Sequence, residues 1–128
     1  VEHPEVQSML PKRIAPVFAE ELHKHQFIQF IYVTDAAGRN TICQVTQPKY
    51  RDEFGTVDMT EDLSDRDWFI GAVESGSIYI TDFYLSRFTG VLCITVSAPI
   101  IDENGQLLGV IGADLQFAEL VRMQEQFL

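Results

Sequence analysis

The chain is poor in positive charge. Nine Lys and Arg residues stand against nineteen Asp and Glu, a net charge of −10 over 128 residues. Nucleic-acid binding needs Lys and Arg to displace counterions from phosphates, so the balance argues against that class of partner. It also disfavours docking to anionic lipid. Cysteine is scarce: Cys43 and Cys93 both lie in apolar runs, and their spacing fits no zinc or redox motif. They read as two buried thiols. No apolar run approaches the roughly 18 residues of a membrane span, and there is no signal peptide. HExxH, P-loop, GxSxG, GxGxxG and zinc-finger spacings are all missing. His23 and His25, two apart, would face different directions on a helix, which argues against a metal site. No carboxylate pair or Cys/His pair has a spacing that implies catalysis. The chain therefore reads as a non-enzymatic domain with no metal and no cofactor.

What is present is a globular composition, 46% hydrophobic. A chain of this length is expected to form one domain, residues 1–128, hiding roughly two-thirds of its unfolded surface. The opening Val1-Glu2-His3 and the helix-like end suggest a domain excised from a larger signalling protein.

Periodicity predicts a helix over about 5–25, with Leu10, Ile14, Val17, Phe18 and Leu22 as its apolar stripe and Pro16 as a kink or break. Residues 27–34, FIQFIYVT, read as a buried strand. A tight turn at Asp35-Ala36-Ala37-Gly38-Arg39 leads to a second strand over Thr41 to Thr46. Residues 47–63 read as a loop with at most a short helix. Ser64 is then the expected N-cap of a helix, with Asp67 completing a capping box, Leu63 and Trp68 at staple positions, and Phe69, Ala72 and Val73 on the buried face. Gly76 should stop it. Strands are expected at about 78–82, 91–98 and 107–113, the last two joined by a hairpin at Asp102-Glu103-Asn104-Gly105. A final helix should follow Asp114, with Phe117, Leu120 and Val121 on one face. Five strands joined mostly by hairpins, with helices at both ends, imply an α+β fold: one antiparallel sheet with one covered face.

Several residues could carry binding chemistry. Arg66, at the opening of a helix, would sit beside unpaired N–H groups, where a planar guanidinium makes a good carboxylate site. Its competing role is a surface ion pair with Asp62 or Asp65. Trp68 is either a core anchor or a donor through its indole N–H to a ligand oxygen, and both can hold. Asp114 ends an apolar strand, where a charge is costly unless paired; it is either an N-cap or a polar contact on an inner face. Tyr79, Thr81 and Tyr84 flank the middle strand and could line a pocket. Cys93, Thr95 and Ser97 form a small polar row, either pocket lining or a solvated face.

The pieces FIYVTDAAGRN, DLSDRDWF, SGSIYITDFYLSRFTGVLCITVSAPI and DENGQLLGVIGADL, in this order, resemble the Cache (PAS-like, PDC-type) sensor domain of bacterial chemoreceptors, histidine kinases and diguanylate cyclases. The resemblance implies a PAS-like five-stranded antiparallel sheet with a long N-terminal helix packed on it and a C-terminal output helix. It also implies a ligand pocket between the sheet and the loop–helix element before the third strand. Amino-acid-binding members share a tyrosine, then R-x-W-Y, then Y-x-D, then a later aspartate. Arg66 and Trp68 match the residues that grip the ligand carboxylate, Tyr84 matches the tyrosine of Y-x-D, and Asp114 falls near the final aspartate. Glu61, Phe69 and Ser86 depart from the pattern, and Ser86 replaces the aspartate that faces the ligand ammonium. The expectation is therefore a sensor for a small carboxylate such as pyruvate, lactate, acetate or propionate. The alternatives are amino-acid sensing, or a degenerate module used for dimerisation. The family further implies a homodimer through the N-terminal helix and an extracytoplasmic, periplasmic position in a membrane-bound parent protein, with a cytoplasmic copy as the alternative.

Overall fold

The computed structural model describes residues 3–39, 43–49, 62–85 and 90–127. The N-terminal helix is divided. Helix α1 spans Pro4–Gln7 and helix α2 spans Pro11–Lys24. Met9 turns the chain between them at φ 56°, and Pro11 holds Leu10 extended, as a proline does to the residue before it. Leu10 is consequently exposed and leaves the predicted stripe. Pro16 does not break α2. It lies on the exposed face, where water can take up the carbonyl that its missing N–H leaves unpaired. Ile14, Phe18 and Leu22, spaced by four, form the buried stripe.

Among the described residues six strands follow: β1 Ile28–Asp35, β2 Cys43–Thr46, β3 Tyr79–Ile80, β4 Tyr84–Leu85, β5 Leu92–Ile101 and β6 Leu107–Gln116. The sheet runs β2-β1-β6-β5-β3, antiparallel throughout, so the expected five-stranded path is present. The short strand β4 is an addition that also pairs with β5. Both predicted turns form. Gly38 takes φ 90°, which an L side chain rarely adopts, while the Asp35 carboxylate accepts from the N–H groups of Ala37 and Arg39. Gly105 takes φ 80° in the β5–β6 turn.

Strand β1 is buried on both faces. Ile31 and Val33 join the α2 stripe in one core, and Gln47 ties that layer down by donating to the Leu22 carbonyl at 2.9 Å. Phe30 and Tyr32 point the other way, into a second core with Leu63, Trp68, Phe69 and Ala72. Helix α3, Asp67–Ser75, covers this second face and ends at Gly76. The capping box does not form, because the chain makes a separate turn from Leu63 to Arg66 and the helix begins two residues later than Ser64 suggests. Val73 is exposed.

The last strand runs past Asp114 to Gln116, and helix α4 spans Phe117–Phe127. Asp114 is therefore a mid-sheet residue, not an N-cap. Phe117 and Val121 are exposed, and the Phe117 ring packs edge-on to Phe83. Among the described residues no helix is long and apolar enough to cross a membrane.

Candidate functional site

Helix α3 and the β3–β4 segment enclose a cleft of about 390 Å³, lined by Asp65, Arg66, Asp67, Trp68, Thr81, Asp82, Phe83 and Tyr84. Four of the expected site residues, Arg66, Trp68, Thr81 and Tyr84, thus converge on one space. The turn that delays α3 explains how. Arg66 becomes the N-cap residue, extended at φ −75° and ψ 141°, rather than a residue of the first helical turn. Its carbonyl accepts from the N–H groups of Phe69 and Ile70. The N–H groups of Asp67 and Trp68 have no partner among the described residues, which is the donor pattern expected at a helix start.

Arg66 forms no ion pair with Asp62 or Asp65 among the described residues. The Asp62 carboxylate instead accepts from the Ser64 N–H at 2.9 Å. The guanidinium lies 5.2 Å from the centre of the Tyr84 ring, within cation–π range. Trp68 is the expected core anchor and also lines the cleft. It is 3% exposed, packed edge-on to Tyr32 at 5.1 Å and buried beside Leu63, and it still reaches the cleft wall.

Beneath the cleft lies a buried polar network. Asp114, 1% exposed, stands on the central strand opposite Phe30 on one side and Thr95 on the other. Its Oδ1 accepts from the Tyr32 hydroxyl at 2.7 Å and from the Thr95 hydroxyl at 2.8 Å. Thr95 spends its single proton there, so the Tyr84 hydroxyl donates to Thr95 Oγ1. A chain of hydrogen bonds therefore leads from the cleft wall at Tyr84 to the buried carboxylate. Burial raises the Asp114 carboxyl to about 6, with the two hydroxyl donors and the Arg66 charge pulling the other way. Burial and the neighbouring carboxylate also push up the Tyr32 and Tyr84 phenols, and the Cys93 thiol to about 11.

The row Cys93, Thr95 and Ser97 is buried, not solvated. Ser97 donates to the Trp68 carbonyl at 2.7 Å and so fixes α3 on the sheet. Tyr79 does not line the cleft; its hydroxyl donates to Asp67 at 3.1 Å. Ser86 lies outside the described residues. Among the described residues, no group of three or more His, Cys, Asp or Glu side chains could hold a metal ion.

Tyr32, Asp67 and Asp82 were not singled out as site residues by the sequence, and Thr95 was read only as part of a polar row. One signal for Tyr32 was available. Gly112 is its cross-strand partner, and a Cβ there would meet the Tyr32 ring at 2.6 Å. The glycine lets the ring lie across β6 and bring its hydroxyl to Asp114, two residues on. A glycine inside a strand marks this kind of close approach.

A family model described as methyl-accepting chemotaxis protein-like, first PDC sensor domain, matches residues 14–122. Among curated proteins, the citrate (Re)-synthase of Syntrophus aciditrophicus (strain SB) is 36% identical over 125 residues. The match takes in 98% of this chain and 20% of that protein, so the chain spans a fifth of that relative's length. Two solved structures share the fold. The sensory domain of the Campylobacter jejuni chemoreceptor Tlp3 with isoleucine bound superimposes with a TM-score of 0.70 at 20% identity, over 93% of this chain and 46% of that one. The ligand-binding domain of the Pseudomonas fluorescens chemoreceptor CtaA with L-valine gives 0.66 at 24% identity, over 88% of this chain and 46% of that one. The chain thus spans less than half of either solved structure.

Proposed function

Because this chain belongs to the methyl-accepting chemotaxis protein-like family of first PDC sensor domains, we propose that it senses a small carboxylic acid held by Arg66 and Trp68. The observation that carries this is the placement of Arg66. Its guanidinium lines the cleft without an ion pair among the described residues, beside the unpartnered N–H groups of Asp67 and Trp68. A planar fork and two backbone donors suit a carboxylate. The indole N–H of Trp68 adds a third kind of donor, and Thr81 and Tyr84 form the far wall. Pyruvate, lactate, acetate and propionate are the ligands of choice, since the position that faces an ammonium in amino-acid sites is Ser86.

A second reading, an amino acid, has its own support. Asp65, Asp67 and Asp82 also line the cleft and would welcome a positive end on the ligand. The two structural neighbours carry isoleucine and valine.

In the whole protein, residues 1–128 act as one sensing unit. Ligand closes the cleft by bridging Arg66 and Trp68 to the central strands. The closed state displaces α4 against whatever follows it, and the bias equals the ligand's differential affinity for the two states. The exposed face of the N-terminal helix pairs two copies, and a membrane-bound parent presents the domain outside the cytoplasm. Thermal shift against organic acids and amino acids tests the binding claim. A ligand at a hundred times its Kd stabilises by about 2.7 kcal/mol, so several degrees with an acid supports sensing. No shift with any acid or amino acid leaves a degenerate dimerisation module.

A further inference from the structure

We propose that this cleft takes up its carboxylate together with a proton, which Asp114 receives, so that ligand affinity falls as pH rises. The proposal rests on the carboxylate assignment above and adds to it a form of regulation.

The geometry has three parts. Asp114 is fully enclosed and makes no ion pair among the described residues; its partners there are the neutral hydroxyls of Tyr32 and Thr95. The cleft wall communicates with it through Tyr84 and Thr95, a path of two hydrogen bonds. Among the described residues, Arg66 is the one cation whose field reaches it. A ligand carboxylate seated on Arg66 neutralises that field and places a second negative charge on the same side of the sheet. Both effects favour the protonated form of Asp114.

Among the described residues, no other group facing Asp114 competes for this role. Tyr32 on β1, Tyr84 on β4 and Cys93 on β5 are all pushed to higher pKa, away from neutrality. His3, His23 and His25 belong to the helical layer on the opposite face of the sheet, where His25 meets Glu21.

The sign follows from the two protonation states. The free protein holds the proton below about 6. The liganded protein holds it to higher pH, so binding takes up a proton between the two values. If the bound anion raises Asp114 by about one further pKa step, affinity falls roughly sevenfold between pH 5.5 and pH 8, and about half a proton is absorbed per ligand near pH 6.5.

Calorimetry with pyruvate, which stays ionised across this range, reads both quantities. Titrations at several pH values give the affinity, and buffers of different ionisation enthalpy give the protons absorbed by the wild-type chain. The expected result is weaker binding at high pH with proton uptake, and loss of the pH slope in Asp114→Asn. Affinity independent of pH, or proton release on binding, overturns the coupling. If that pH-independent binding is still weakened by Arg66→Ala, the carboxylate site stands and only the coupling fails. If none of pyruvate, lactate, acetate and propionate binds, both fall.

Discussion

Replacing Asp114 by Asn should stabilise the protein at neutral and alkaline pH. Asp114 carries its charge at 1% exposure, with two hydroxyl donors and no ion pair among the described residues. Its carboxyl sits at about 6 when folded, against about 3.9 in an unfolded chain. A group raised in the folded state contributes most below its unfolded pKa, and that contribution is lost as pH climbs through the folded value. The loss amounts to about 3 kcal/mol, complete by about pH 7. An amide of the same shape keeps an oxygen for the Tyr32 and Thr95 hydroxyls and carries no charge to desolvate. The difference in stability between the variant and the wild type should therefore be small at pH 4 and grow by about 1 kcal/mol per pH unit up to about 6. Beyond that it levels off, near a 10 °C gain in Tm. Thermal or urea unfolding of both proteins from pH 4 to pH 8 measures it, and subtracting the two curves removes every other titrating group. A variant less stable than wild type at pH 8, or a difference that does not change with pH, would refute the reasoning.

Other substitutions test the framework of the site. Gly112→Ala places a Cβ 2.6 Å from the Tyr32 ring; displacing the ring should cost about 1–3 kcal/mol in urea unfolding and move the Asp114 transition to higher pH. Gly38→Ala combines φ 90° with a Cβ 2.7 Å from Ser64. Since the Gly38 carbonyl also accepts from the Leu63 N–H, this change should lower stability by more than 1 kcal/mol and weaken ligand binding by shifting the turn that carries Arg66. Phe18→Ala opens a cavity under α2, on the far side of the sheet. It should cost about 3–5 kcal/mol and leave ligand affinity in the folded protein unchanged.

The architecture was legible where local chemistry dictates it. The turns at Gly38 and Gly105, the stripe of Ile14, Phe18 and Leu22, and the long apolar strands all follow from spacing and residue type. Boundaries were harder. The break at Met9 depends on Pro11 acting backwards on Leu10, and the exposed Pro16 was tolerated because water lies on its side. Strand β4 has two residues and no periodicity to read. The site was half legible. Arg66 and Trp68 stood out through the helix start they flank and through family resemblance, yet the extra turn that turns Arg66 into the cleft has no sequence signature beyond Ser64. The network at Asp114 was invisible because Tyr32, Thr95 and Tyr84 meet there only through strand register, across separations of up to 82 residues. A slip of one residue in that register would send each of these side chains to the other face. Tyr79 shows the converse, a plausible pocket residue that found a nearer partner in Asp67.

The most direct test is the affinity of wild-type and Arg66→Ala protein for pyruvate, lactate, acetate and propionate, measured by calorimetry at pH 6. The half-buried guanidinium and the carboxylate should lose about 2 kcal/mol of charge-assisted bonding, a fall in affinity of about 30-fold. Equal affinity in the two proteins would contradict the assignment of this cleft as a carboxylate site.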